Sequence, residues 1–334
     1  MTPIEMKAGY TDAALAVPPR SGWLPGLKFW RSQRGKRNLT WLLMALPAVI
    51  WVFVFKYLTL FGVWIAFTDF KVRRGLFGSE FVGLANFEFL FSTDTALRAT
   101  RNTILLNLMF ITVGVIFALF VAWLLYEVYS SYMTRFYQTL LLLPRFISWV
   151  VVSYFVYSFL ATENGLINGI LRGMGLEPIS WYSTPGYWPG ILLAVSLWAG
   201  VGMSSLIYLS GMLAIDTQLY EAARIDGANK WQLFHYITFP MILPLVVINL
   251  LLSLAYIMNA DFGLFFQVTR DTSMLYPTTD VLDTYIYRSL IVTRDVSMAA
   301  AAQFYQSVIG FVLVIFFNWV VRRIERADEP LALF

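Results

Sequence analysis

The sequence predicts an all-α membrane protein with six spanning helices and one polar helical insert on the inner side. Three observations carry that expectation. Apolar residues make up 59% of the 334 residues and charged residues only 13%, where an ordinary soluble domain carries about a quarter charged residues. The mean hydropathy is +0.66, so too few polar side chains remain to cover a water-facing surface, and lipid must be the main solvent. Six apolar stretches are each long enough to cross a bilayer core of about 30 Å as helices. Between the fourth and fifth lies a charged segment of helical character, residues 216–240.

In chain order, residues 1–39 form a basic segment with no apolar run of the kind a cleavable signal peptide needs. Residues 23–37 mix Trp23 and Leu24 with Lys28, Arg31, Arg34, Lys36 and Arg37. They suit either a helix lying on an anionic inner membrane surface or a tail that only fixes orientation. The spans are expected at 40–67, 104–126, 136–160, 187–214, 241–258 and 298–321, followed by a tail from 323 to 334. With the N-terminus inside, the inner segments collect thirteen Lys and Arg residues, against nine in outer segments that also carry Asp and Glu. That asymmetry matches the positive-inside rule and places both termini and the 216–240 segment in the cytoplasm. One outer segment, 259–297, holds apolar residues around Val281 and Leu282, Tyr285 and Ile286, and Leu290. This is the spacing of a helix with one greasy face, too short and too charged to span. It belongs against the outer leaflet or on the bundle. No internal repeat and no soluble domain boundary is evident.

Composition limits the chemistry. The chain has no cysteine and one histidine, His235, so thiolate sites, disulfides and a histidine metal cluster are excluded. As a ligand or proton relay His235 is the sharper reading, and an interface histidine is the ordinary one. The net charge of +4 is modest and unevenly spread, and nucleic acid is not an expected partner. A phosphate-binding loop needs Gly-x-x-x-x-Gly-Lys-Ser/Thr, but Gly35-Lys36 is followed by Arg37 and lacks the upstream glycine. The acids are scattered over loops. Ser130-Ser131 and Ser204-Ser205 have no adjacent base; small hydroxylated residues of this kind are common at helix contacts. No enzyme is expected.

The polar insert is the most specific feature. Residues 220–244 read YEAARIDGANKWQLFHYITFPMILP, with Glu221, Ala222, Ala223, then Asp226, Gly227, Ala228, then Trp231, Phe234, Pro240 and Pro244. Physically this is a helix, a glycine-permitted turn, a short amphipathic helix and a proline-marked entry into the membrane. It resembles the EAA loop of permease subunits in ATP-driven importers, with Phe239 standing where that family usually has leucine. The resemblance implies the type I importer permease fold and a loop docked on an ATP-hydrolysing partner. Trp231, Phe234 and His235 would then present the contact ridge. Glu221 is expected to cap amides near Gly227, with Asp226 at the start of the next helix.

Other stretches resemble a carbohydrate branch of the same importers. They are Gly83-Leu84-Ala85-Asn86-Phe87, Arg101-Asn102-Thr103 opening the second span, residues 262–270 and 276–285, and Met298 to Ala302 with Tyr305-Gln306-Ser307. The likeness covers most of 41–326. It implies a second, different permease subunit, two ATPase subunits that hold ATP and magnesium, an external solute-binding protein, and a bacterial inner-membrane location. This chain itself would carry no cofactor. The branch handles oligosaccharides from pectin, xylan or alginate.

A path for such a solute should leave polar residues inside apolar helices, because burying them in hydrocarbon is costly. The candidates are Asn249, Tyr256, Asn259, Gln303, Tyr305 and Gln306, with Asn107 and Asn318. Gln303 and Gln306 are expected on one face. Bonding between helices explains each of them equally well. Lys56, Arg145 and Arg288 would favour an acidic oligosaccharide. The competing readings are a permease of the same architecture for peptides, phosphate or amino acids, and, more distantly, a membrane enzyme or scaffold.

Overall fold

The computed structural model describes residues 33–92, 94–128 and 130–324. The expected interfacial segment falls, up to residue 32, outside the described residues, as does the tail beyond 324. Contacts divide the chain into two units, 1–61 and 62–334.

In the first unit, α1 (Gln33–Val52) begins before the expected start of the span, so residues 33–39 already continue it. It runs through a π turn, Phe53–Tyr57, into a 3-10 stretch, Leu58–Phe67, which enters the second unit. The change of pitch falls where Thr59 Oγ1 donates to the carbonyls of Lys56 (2.8 Å) and Phe55 (3.3 Å). Such back-bonding competes with the main-chain ladder. Side chains from residue 40 to 61 are exposed, which only lipid or a partner helix can cover.

The second unit opens with a two-stranded ribbon, β1 (Thr68–Asp69) antiparallel to β2 (Glu80–Phe81), with Thr68 opposite Phe81. After α2 (Ala85–Ser92) comes α3, Asp94–Tyr126, 33 residues long. Here the expectation is corrected: the helix starts ten residues before residue 104, and Arg101-Asn102-Thr103 lie inside it. Asp94 in its first turn favours that start by complementing the helix dipole.

The third span is also corrected. Residues 136–160 are not one helix: α4 (Ser131–Leu142) and α5 (Trp149–Leu160) meet at 96°. Pro144 stops the first, since proline restricts the residue before it and lacks an amide proton. Ser148, with extended backbone, starts the second by accepting from the Val151 amide at 3.4 Å. Among the described residues five helical stretches are long and apolar enough to cross a membrane, or six if this bent pair counts as one.

The following segment, with α6 (Leu166–Gly173), folds around buried Asn168. Its amide donates to the carbonyls of Ala161, Thr162 and Ile179 and accepts from the Ile179 amide and Trp181 Nε1. Helix α7 (Trp188–Leu213) packs along α3 and against α4. At Gly202 the approach is so close that a Cβ would sit on the Leu141 carbonyl oxygen. Gly202→Ala is therefore expected to force the two backbones apart, at about 1–3 kcal/mol. A lower melting temperature in detergent would register it, and an unchanged one would refute the tight approach.

Helices α8 (Thr217–Ile225), α9 (Lys230–Leu233) and α10 (Phe239–Ala255) follow. A π turn, Phe234–Thr238, joins the last two into one helical run, Lys230–Ala255. The proline-marked entry at Pro240 therefore involves no break in the helix. The π turn widens the helix where proline lacks its amide, so the ring is absorbed and not terminal. Helix α11 (Leu282–Ile291) packs on α12 (Val296–Ile324) and on α3, settling the greasy outer helix on the bundle. It is pinned there by Thr103 Oγ1, which accepts from the Leu282 amide at 2.9 Å.

Among the described residues four apolar clusters make the core, and two of them bear on the site. One joins Ala118, Leu119, Tyr208, Met212, Tyr220, Leu233 and Ile242; the other joins Leu106, Val152, Trp188, Leu192, Phe265 and Leu275.

Candidate functional site: a cavity among the helices and an exposed elbow

Two features qualify as functional. The first is a half-open cavity of about 240 Å³ between α3, α7 and α10, lined by members of both of these clusters, including Phe110, Val115 and Tyr208. Gly114 keeps it open, because a Cβ there would meet nothing within 4 Å. Its polar groups are Ser204, Tyr208, Asn249 and Ser253. Asn249 donates to the Leu245 carbonyl (3.0 Å), and Ser253 Oγ to the Asn249 carbonyl (2.9 Å). The Asn249 side-chain oxygen, Oδ1, accepts nothing from the described residues. Tyr208 is 3% exposed, and its hydroxyl finds no partner among them either, so both groups are left to the cavity. Ser205, by contrast, is buried and bonds the Gly202 carbonyl, the packing role expected of a small hydroxyl.

The remaining path candidates do not share this cavity. Gln306 is buried at 1% exposure and donates to the Met258 carbonyl (2.6 Å) and to Asp283 Oδ2 (3.2 Å). Gln303 is exposed, so the two glutamines do not share a face, and Tyr305 packs edge-on against Phe91. Asn107 donates to the carbonyls of Ile257 and Asn259, just beyond the C-terminal end of α10. Asn259 and Tyr256 are exposed, and Asn318 is buried. Arg288 is corrected as a free cation. It bonds Asp280 and, at 2.9 Å, Asp271. Burial opposes its charge, but the Asp280 carboxylate holds its pKa above the ordinary arginine value. Arg145 is exposed in the break between α4 and α5, and Lys56 is exposed in the first unit.

The second feature is the elbow between α8 and α9. Asp216 caps α8 by accepting from the Gln218 amide at 2.9 Å. Tyr220 is buried, and its hydroxyl shares a 2.9 Å hydrogen bond with Thr238 Oγ1, fastening α8 to the base of α10. The helix closes in a left-handed turn at Gly227, φ +86°, where only glycine is free of strain. The turn's amides go to backbone carbonyls: Gly227 to Arg224 (3.0 Å) and Ala228 to Ala223 (2.9 Å). This corrects the expected capping by Glu221, which is exposed. Asp226 does not start α9 either; Asn229 does, through a reciprocal capping box with Gln232 at 2.9 and 2.8 Å. The Asn-x-x-Gln spacing was the available signal.

Exposure divides the elbow. Phe234 packs on Trp123 of α3 (5.1 Å), and Lys230 pairs with Glu127 at 2.7 Å. Trp231 is 60% exposed and Ile225 86%, with Ala222 and His235 also exposed. His235 stacks on Trp231 at 6.2 Å, and no metal-binding group occurs among the described residues. Between these residues lies a groove lined by Ala223, Asp226, Gly227, Ala228 and Gln232. Pro240 is exposed at the foot of α10, and Pro244 is half-buried within it.

A bundle of apolar helices enclosing a small polar cavity, with an elbow of exposed apolar residues at one end, defines a membrane transport subunit. Residues 111–326 match the family of binding-protein-dependent transport system inner membrane components, and the chain belongs to that family. It is 31% identical over 281 residues to the polygalacturonan/rhamnogalacturonan transport system permease protein YteP of Bacillus subtilis (strain 168), covering 84% of this chain and 87% of that protein. It is 28% identical over 291 residues to the protein LplB of the same organism, covering 87% and 91%. Among solved structures, it is similar to a chain of a bacterial alginate ABC transporter in complex with an alginate pentasaccharide-bound periplasmic protein. The TM-score is 0.79 at 31% identity, with coverage of 89% of this chain and 98% of that one. The chain is therefore a permease subunit of an ABC importer, of the sugar and polysaccharide kind.

Proposed function

We propose that this permease passes acidic oligosaccharides, of the pectin or alginate type, through the cavity among α3, α7 and α10. The observation that carries the reading is the pair of unpartnered groups there, the Tyr208 hydroxyl and the Asn249 side-chain oxygen Oδ1. Polar atoms left open inside apolar helices are expensive unless a hydrated solute meets them. An amide, hydroxyls and the ring of Phe110 together suit the mixed polar and apolar faces of a pyranose.

The same reading assigns the rest of the machine. The exposed ridge of Ile225, Trp231 and His235, with Glu221 beside it, docks on an ATPase subunit, two of which hold ATP and magnesium. The chain carries no phosphate-binding loop and no catalytic role. It pairs with a second, different permease, and an external solute-binding protein delivers the sugar on the side opposite the elbow. Both termini lie in the cytoplasm of a bacterial inner membrane. The first span supports such pairing, because its side chains from residue 40 to 61 are apolar in the main and exposed, and such a helix needs lipid or a neighbour.

The test is ATP hydrolysis by the reconstituted complex against oligouronates and neutral oligosaccharides of equal length, each with its binding protein. Stimulation by oligouronates supports the reading, and stimulation by neutral sugars alone defeats the acidic preference. Within the cavity, Asn249→Leu is expected to lower uptake about tenfold, the worth of one hydrogen bond to a buried polar group. The complex should still assemble. Unchanged uptake would return Asn249 to helix packing.

A further inference from the structure

The geometry points to a carboxylate-binding subsite at Arg270, separate from the cavity described above, that would receive one uronate unit of the transported chain. It rests on the acidic-oligosaccharide reading and adds to it a place and a residue.

The site lies between α5 and the helical turn Leu264–Val268. It is a cavity of about 200 Å³ lined by Ser153, Tyr154, Gln267, Arg270 and Asp271, with Val150 and Phe266. Its walls are fixed. Gly263 packs so closely on Trp149, at the start of α5, that a Cβ would overlap the indole ring. The volume suits a single pyranose. Tyr154 and Gln267 supply polar edges, and Phe266 an apolar face.

Charge gives the site its sign. Arg270 and Asp271 follow one another in the left-handed region, φ +57° and +45°. Non-glycine residues seldom hold that conformation, and those that do concentrate at functional sites. The turn sends the two charges different ways. Asp271 accepts from Arg288 (2.9 Å) and from the Tyr276 hydroxyl (3.1 Å). Arg288 also holds buried Asp280, which Arg98 reaches at 3.4 Å. That network contains two acids and two arginines, so its charge is balanced without Arg270. Arg270 is exposed and forms no ion pair with a described residue. Its guanidinium lies 4.3 Å over the Tyr157 ring, which steadies the plane and leaves its N–H edges open. A planar fork of donors with no acid of its own is matched by a carboxylate.

Proteoliposomes of the whole complex, with its binding protein and a uronate trisaccharide, test this. Arg270→Gln is expected to lower trisaccharide uptake about tenfold, as for loss of one charge-assisted pair. Basal ATP hydrolysis and docking of the unloaded binding protein should not change. Arg270→Lys keeps the charge without the fork and should fall between. Uptake by Arg270→Gln equal to wild type would overturn the subsite while leaving the acidic reading intact. Weakened docking of the unloaded binding protein would also overturn it, making Arg270 a contact for that partner. Failure of the wild-type complex to import the trisaccharide would sink the parent reading and this inference together, before any variant is made.

Discussion

Replacing Gly227 by proline is expected to abolish substrate-stimulated ATP hydrolysis by the assembled complex while leaving membrane insertion of the chain intact. The residue holds φ +86°, and the pyrrolidine ring fixes φ near −65°. Proline also removes the amide that closes the turn on the Arg224 carbonyl at 3.0 Å. The elbow must then open, and Trp231 and Ile225 can no longer face one partner together. The spanning helices do not depend on this turn, so insertion should survive. Gly227→Ala is the graded control. A Cβ there meets no atom within 4 Å, so only the left-handed strain remains, about 1–2 kcal/mol. Partial stimulation is expected from it. Full stimulation in the proline variant would show that the elbow does not transmit the nucleotide cycle.

The second large effect is on stability. Asp280 is 1% exposed, bonded by Arg288, approached by Arg98 at 3.4 Å, and accepts from Thr284 Oγ1 at 3.2 Å. Removing one partner of a buried ion pair leaves the other charge unanswered, typically at about 3–5 kcal/mol. Asp280→Ala should therefore melt well below wild type in detergent, with the outer segment around α11 loosening first. Asp280→Asn keeps an acceptor for Arg288 and Thr284 and should lose less. An alanine variant with wild-type melting would mean that solvent, not Asp280, balances the arginines.

Much of the helix count was legible because a spanning helix must be long and apolar, and hydropathy measures both. The same averaging hid the break at Pro144, where the chain turns without becoming less apolar, although the Leu-Pro step and the following serine marked it locally. At the elbow, the Glu-Ala-Ala and Asp-Gly-Ala order gave the helix and its turn. The cap at Asn229 was less legible, because Asp226, three residues earlier, is an equally good capping type. Path residues were the least legible. Gln303 and Gln306 are three apart on a helix, hence about 60° apart around it, enough to place one in the core and the other outside. Arg288 looked free because its partners, Asp271 and Asp280, reach it only through the fold of the outer segment. Arg270 is illegible for the converse reason: nothing in the sequence says that its neighbour's charge is taken elsewhere.

The unbroken helix from Lys230 to Ala255 carries a mechanical corollary. Its 26 residues make a rod about 39 Å long, with Trp231 near one tip and Asn249 and Ser253 towards the other. If the inner tip is pulled sideways by about 5 Å, one helical turn, the rod tilts by about 7°, and the cavity wall swings without any hinge at the membrane surface. The wide π turn at Phe234–Thr238 is the one departure from α geometry along that run, so its five residues set how stiffly a displacement at Trp231 would be carried to Asn249.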